Sequence, residues 1–193
     1  MKNEKTFSLL AILTIPLCVA INFIGGQVVT ILKLPVYLDA IGTIFAGMLC
    51  GPLVGAVTGA VTTLVESIAN PTNLPFIVVS ITSGWLAGEL AKHNLFDNYF
   101  KICISTILLS LIAIATSTPV VVLLYGGVTG GGSSLFTGLA MAMGVGIWKS
   151  VLGVEGFFTI LDRLISVTLC LLVMKIIPKR NLVMYRLGNR YLR

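Results

Sequence analysis

Apolar runs long enough to cross a bilayer recur from one end of the chain to the other, and they decide the fold class before any motif is read. The first goes from Phe7 to about Ile31 and contains Pro16 and the pair Gly25-Gly26; "KLPVY" then breaks it. A shorter run goes from Leu38 to about Cys50. Gly51-Pro52 signals a tight turn, and a third run covers Leu53 to about Ala69. The two-proline loop "NPTNLP" precedes a fourth, from Pro75 to about Ala91. The polar connection "KHNLFDNYFK" leads to a fifth, Ile102 to about Leu124. The glycine-rich "YGGVTGGGSS" leads to a moderately apolar stretch, Leu135 to Val154, and the last run goes from Glu155 to about Ile177.

Only 10% of residues are charged and mean hydropathy is +1.02, against about 25% charged in soluble domains. Backbone groups in lipid must be satisfied within the chain, so the runs are expected to be helices. The expectation is an all-α membrane protein, one integral membrane domain over 1–193. It has six transmembrane helices and a glycine-rich outer loop or short helix between the fifth and sixth. The first run is too long for a signal-peptide core and lacks a small-residue cleavage site.

Lys and Arg set the orientation. With the N-terminus inside and six crossings, the inner segments hold Lys2, Lys5, Lys92, Lys101, Lys175, Lys179, Arg180, Arg186, Arg190 and Arg193; the outer hold Lys33 and Lys149. That bias puts both termini in the cytoplasm, with a basic cytoplasmic tail over 178–193. The net charge of +6 therefore bears on orientation, and no nucleic-acid partner is expected. Cys18, Cys50, Cys103 and Cys170 sit in apolar runs without a C-x-x-C, and His93 is the sole histidine. A metal centre, a cofactor and a Ser/His or Cys/His catalytic constellation are not expected.

Ionisable and polar residues inside spanning segments are the functional pointers. Asp39 opens an almost charge-free run in "YLDAIGT", with Thr43 four residues on and so on the same helical face. Thr62, Glu66 and Asn70 step by four along the third helix. Glu155, Thr159, Asp162 and Ser166 fall near one face of the sixth. Arg163 follows Asp162 by about 100° around the helix and is expected to reach an acid on another helix, Asp39 or Glu66. Most of these groups lie at outer helix ends, with Trp148 and Lys149 in the outer connection and the glycine run above. Tyr37, Phe76 and Trp148 are available for stacking on a planar ligand. Plainer readings stand beside each: Asp39 as an N-cap, Asp162 and Arg163 as parts of a structural ion-pair network between helices, Glu66 reaching the interface, Trp148 and Lys149 as an interfacial anchor, the glycine run as linker. Gly47, Gly51, Gly55 and Gly59 recur every four residues, either for helix packing or as a docking face.

"LPVYLDAIGTIFAGMLCGPLVGAVTGAVTTLV", then "GGVTGGGSS", then Asp-Arg in the last helix, resembles the S components of energy-coupling factor (ECF) transporters, the substrate-binding membrane subunits for vitamin uptake in prokaryotes. The resemblance covers nearly the whole chain and leans toward the branch associated with hydroxymethylpyrimidine or vitamin B6 compounds, with another B vitamin such as pantothenate as an alternative. It implies a non-enzymatic subunit of the cell membrane. Such a subunit captures its vitamin from outside and topples on a transmembrane coupling subunit that carries two cytoplasmic ATPases. No Walker motif is present, as that division of labour requires. The pocket it implies is built from Tyr37, Asp39, Thr43, Glu66, Asn70, Trp148, Lys149, Asp162 and Arg163. The alanine-x-x-x-alanine docking motif common on the first helix of that family is missing here; Cys18, Asn22 and Gly26 form the nearest series. The competing reading is a stand-alone ion- or proton-coupled secondary transporter using Asp162 or Glu66.

Overall fold

The computed structural model describes residues 8–192; Lys2, Lys5 and Arg193, used above for orientation, lie outside the described residues. The described residues form helices and turns without strands. The helices are α1 (Leu9–Leu32), α2 (Ile41–Cys50), α3 (Pro52–Ala69), α4 (Ile77–Lys92), α5 (Tyr99–Tyr125), α6 (Gly132–Ala142), α7 (Ile147–Ile176) and the single turn α8 (Lys179–Leu182). A 3₁₀ segment, Pro71–Phe76, leads into α4, and another, Gly188–Tyr191, ends the chain.

Against the six spans expected, five segments are long and apolar enough to cross a membrane: α1, α3, the 3₁₀ segment with α4, α5 and α7. The chain is thus a multi-pass membrane protein. The remaining apolar helix, α2, has ten residues, about 15 Å of rise against a hydrocarbon core of about 30 Å. Its residues Gly42 to Cys50 are buried apart from Phe45, so α2 is a helix inside the bundle.

Two ends can be told apart by their contacts. At one, Gly132 at the start of α6 lies against the Leu34 carbonyl, and the Tyr125 hydroxyl donates to the Thr72 carbonyl. At the other, the tail is a folded cap: Leu187 N–H donates to the Leu49 carbonyl (2.9 Å), Arg190 donates to the Ala91 carbonyl (3.3 Å) and to Asn94, and Leu182 and Leu187 are buried. The tail end holds Lys92, Lys101, Lys175, Lys179, Arg180, Arg186 and Arg190; the opposite end holds Lys33 and Lys149. The ambiguous stretch 135–154 divides at Met143–Gly146: its first part is α6, and its second opens α7 eight residues before Glu155. Trp148 and Lys149 therefore lie in the first turn of α7, not in a connection.

The glycine stripe packs inside the bundle. A Cβ at Gly47 would stand 2.7 Å from the Gly84 carbonyl oxygen, and one at Gly55 or Gly59 would collide with the backbone of Gly84 or Ser80. Gly51 makes the α2–α3 turn with φ +102°. Close backbone approach substitutes for a hydrophobic driving force, which is missing between helices in lipid. Gly84→Ala is expected to lower the melting temperature in detergent, because backbone rather than a flexible side chain blocks the new methyl; overpacking of this kind costs about 1–3 kcal/mol. Gly138→Ala in α6, with open space around it, is expected to hold or raise it. Equal shifts in the two variants would contradict this packing.

Candidate functional site

A row of polar side chains runs through the half of the bundle opposite the tail, in two layers. The inner layer is a hub on Asn22 of α1. Its Nδ2 donates to Thr43 Oγ1 (2.9 Å) and Thr62 Oγ1 (3.0 Å), and its Oδ1 accepts from the Gly42 N–H (2.6 Å). The three side chains are buried, and one amide joins α1, α2 and α3. An unpaired buried amide costs far more than a paired one gains, so these helices are locked in register.

The outer layer holds Asp39, Glu66, Glu155 and Asp162, four of the seven Asp and Glu residues of the chain. Two of them are occupied. Glu155 accepts from the Tyr37 hydroxyl, from Ser133 Oγ (3.0 Å) and from Thr137 Oγ1 (3.4 Å), which ties α6 to α7 and to the α1–α2 connection. Asp162 is 0% exposed. Its Oδ1 accepts from the Tyr37 N–H (3.1 Å) and the Leu38 N–H (2.8 Å), and its Oδ2 pairs with Arg163 Nη1 at 3.3 Å. Arg163 was expected to reach an acid on another helix; its hydrogen bond instead goes to its sequence neighbour. The Cα positions diverge around the helix, but a guanidinium on a three-carbon stem folds back across that distance.

Asp39 and Glu66 are different. A Cβ added at Gly26 would lie 3.4 Å from Glu66 Oε1 and 3.8 Å from Asp39 Cβ, so both acids border the gap that this glycine leaves on α1. Glu66 Oε1 is buried without a hydrogen-bond partner among the described residues, as are Arg163 Nε and Ser166 Oγ. Buried polar atoms are ordinarily paired, so these three stand out within the cluster. Asp39 does not cap α2, whose N-cap is Ala40 without a side-chain bond. Burial first, and the Asp162 carboxylate second, push the Asp39 carboxyl up to about 6, with Arg163 pulling the other way.

The nine residues expected in the pocket separate. Tyr37, Asp39, Thr43, Glu66, Asp162 and Arg163 belong to this cluster. Asn70 is exposed and accepts from Thr72 N–H (3.2 Å) and Thr72 Oγ1 (2.7 Å), fixing the 3₁₀ turn. Trp148 is 48% exposed and Lys149 is exposed beside it. Trp148 lies two turns above Glu155 on nearly the same face of α7. Phe76 stacks on Tyr125, with centroids 5.8 Å apart. Sequence reasoning passed over Asn22 as a hub and Ser133 and Thr137 as the Glu155 partners. The signal for Asn22 was there: a side-chain amide in the middle of an aliphatic helix.

Above the cluster, Gly126, Gly127 and Gly130 take positive φ and carry the chain from α5 into α6, where Ser134 Oγ accepts from the Thr129 N–H (3.0 Å). Among the described residues, no group of three or more His, Cys, Asp or Glu is placed to hold a metal.

Asp162→Ala is expected to be a stability variant. It strips two N–H groups and a buried guanidinium of their acceptor, and breaking such a pair costs about 3–5 kcal/mol, a fall of roughly ten degrees in melting temperature. Asp39→Asn is expected to stay within a few degrees of the native chain. The reverse order in a thermal melt would contradict the assignment of Asp162, rather than Asp39, as the carboxylate that holds the frame.

Comparison with protein families matches residues 10–174 to the family described as ECF transporter, substrate-specific component. No curated protein and no solved structure matches the chain.

Proposed function

The chain belongs to the ECF transporter substrate-specific component family, whose members are transport subunits and not enzymes, and we propose that it binds a small, donor-rich nitrogen heterocycle between α1, α3 and α7. Hydroxymethylpyrimidine and the vitamin B6 compounds fit that description. The observation that carries the reading is the buried Glu66 Oε1 without a hydrogen-bond partner among the described residues, with Asp39 beside it at Gly26. Amino, hydroxymethyl and protonated ring-nitrogen groups are the natural partners of two such carboxylates. Four carboxylates face one guanidinium in this layer, a balance that disfavours carboxylate vitamins such as pantothenate. Tyr37 supplies an aromatic face beside the acids, and Thr43 and Arg163 the edges. Trp148 and Lys149, two turns up α7, are assigned to the entrance.

In this reading the cluster end faces outward and the basic tail end faces the cytoplasm, in keeping with the positive-inside rule. The subunit delivers its ligand by toppling against a transmembrane coupling subunit powered by two ATPases. Family membership favours this over a stand-alone ion-coupled transporter.

Calorimetric titration in detergent tests the site. Glu66→Gln and Asp39→Ala are each expected to weaken binding about three- to tenfold, the worth of a buried hydrogen bond. Unchanged affinity in both removes the site. A pH series adds a second check. Asp39 is ionised well above pH 6 and protonated well below it, so affinity for a donor-rich or cationic ligand is expected to fall as pH drops from about 7.5 to about 5. Asp39→Asn is expected to flatten the Asp39 part of that profile; an identical profile in the variant would contradict the assignment.

A further inference from the structure

A cavity of about 680 Å³ lies at the tail end, between the start of α5, the end of α7 and the folded tail. Its size is that of a small-molecule site, yet it has no part in the polar cluster. Ile102 on α5 and Leu171 and Leu172 on α7 form an apolar wall, and Leu182 and Tyr191 of the tail add to the lining. Lys175, Lys179 and Arg190 also line it, against the single acid Asp97. Lys175 and Lys179 are exposed, while Arg190 is already bonded to Ala91 and Asn94. Two further features suit an anion. The Tyr191 hydroxyl is buried without a hydrogen-bond partner among the described residues. The first-turn N–H groups of α5, which have no acceptor within the helix, receive no side-chain cap from Asn98. Tyr99, Phe100 and Ile176, all strongly exposed and apolar, stand beside the cavity, so it adjoins surface that meets hydrocarbon.

We infer that this cavity binds one anionic phospholipid from the adjacent leaflet. Its headgroup phosphate sits among Lys175, Lys179 and the α5 N-terminus, and the upper part of an acyl chain lies along Ile102, Leu171 and Leu172. The combination selects that occupant. A free phosphate would leave the apolar wall uncovered, and a neutral lipid would leave the excess of basic groups over the one acid in the lining unbalanced. Basic pockets between helices on one membrane face are a recurring form of lipid recognition. The bound lipid would also pin the folded tail to α5 and α7.

Native mass spectrometry of the full chain in mild detergent tests this, with phosphatidylglycerol and phosphatidylcholine of the same acyl chains as probes. Phosphatidylglycerol is expected to bind more tightly. Lys175→Gln and Lys179→Gln are each expected to reduce that preference roughly five-fold, and together to abolish it. Lys33→Gln, at the opposite end of the bundle, is expected to leave it unchanged. Both tail-end lysines are exposed, so melting temperatures without lipid should match the native chain and separate binding from folding. Inorganic phosphate, added alone, is expected neither to displace phosphatidylglycerol nor to raise the melting temperature as the lipid does. Equal binding of the two lipids, an intact preference in the double variant, or displacement by phosphate would each overturn the inference.

Discussion

The Asp162 carboxylate holds this structure together where it is least regular. The connection between α1 and α2 cannot satisfy its own backbone, and Leu38 takes a positive φ of 50°, a conformation unfavourable for a residue with a side chain. Asp162 receives the N–H groups of Tyr37 and Leu38 and is balanced by Arg163. A buried charge is tolerable only when paired and hydrogen-bonded, and this one meets both conditions. Because it fixes residues 37 and 38, it also fixes where the next residue, Asp39, stands relative to Glu66.

The cluster therefore divides by what each acid has left to give. Asp162 and Glu155 spend their acceptors on backbone, hydroxyl and guanidinium groups, and so build the frame: α7 to the α1–α2 connection, and α7 to α6. Asp39 and Glu66 border the gap at Gly26, and there Glu66 Oε1 has no hydrogen-bond partner among the described residues. In the proposed site, a ligand donor on Glu66 Oε1 would offset the desolvation of that atom and give affinity without new apolar contact. The glycine contacts among α2, α3 and α4 supply the rigidity, since a frame that yielded would let the acids separate.

Much of the fold was legible because lipid restricts the chain to helices, and hydropathy shows where they run. The glycine stripe was legible as well, although sequence alone left open whether it served packing or docking; the Gly84 backbone decides for packing. Other features depended on tertiary contacts. Asn70 continues the four-residue step from Thr62 and Glu66, but α3 stops at Ala69 and Asn70 turns to extended backbone at φ −140°. The stretch from Leu135 to Val154 read as one moderately apolar segment, whereas it divides between α6 and α7, with Gly144 and Gly146 outside a helix and Gly153 within α7. The Asp162–Arg163 pair was discounted on Cα geometry, which ignores the reach of an arginine. Ser133 and Thr137 gave no signal, since hydroxyls are common in any short helix.

The central claim is that Glu66 and Asp39, held by this frame, receive a donor-rich heterocycle. The most direct measurement is the mass spectrum of small molecules released from the gently purified native chain. The account predicts one dominant organic species near one per protein: a nitrogen heterocycle with amino, hydroxyl or protonated ring-nitrogen donors and no carboxylate. A stoichiometric carboxylate vitamin in its place would contradict it.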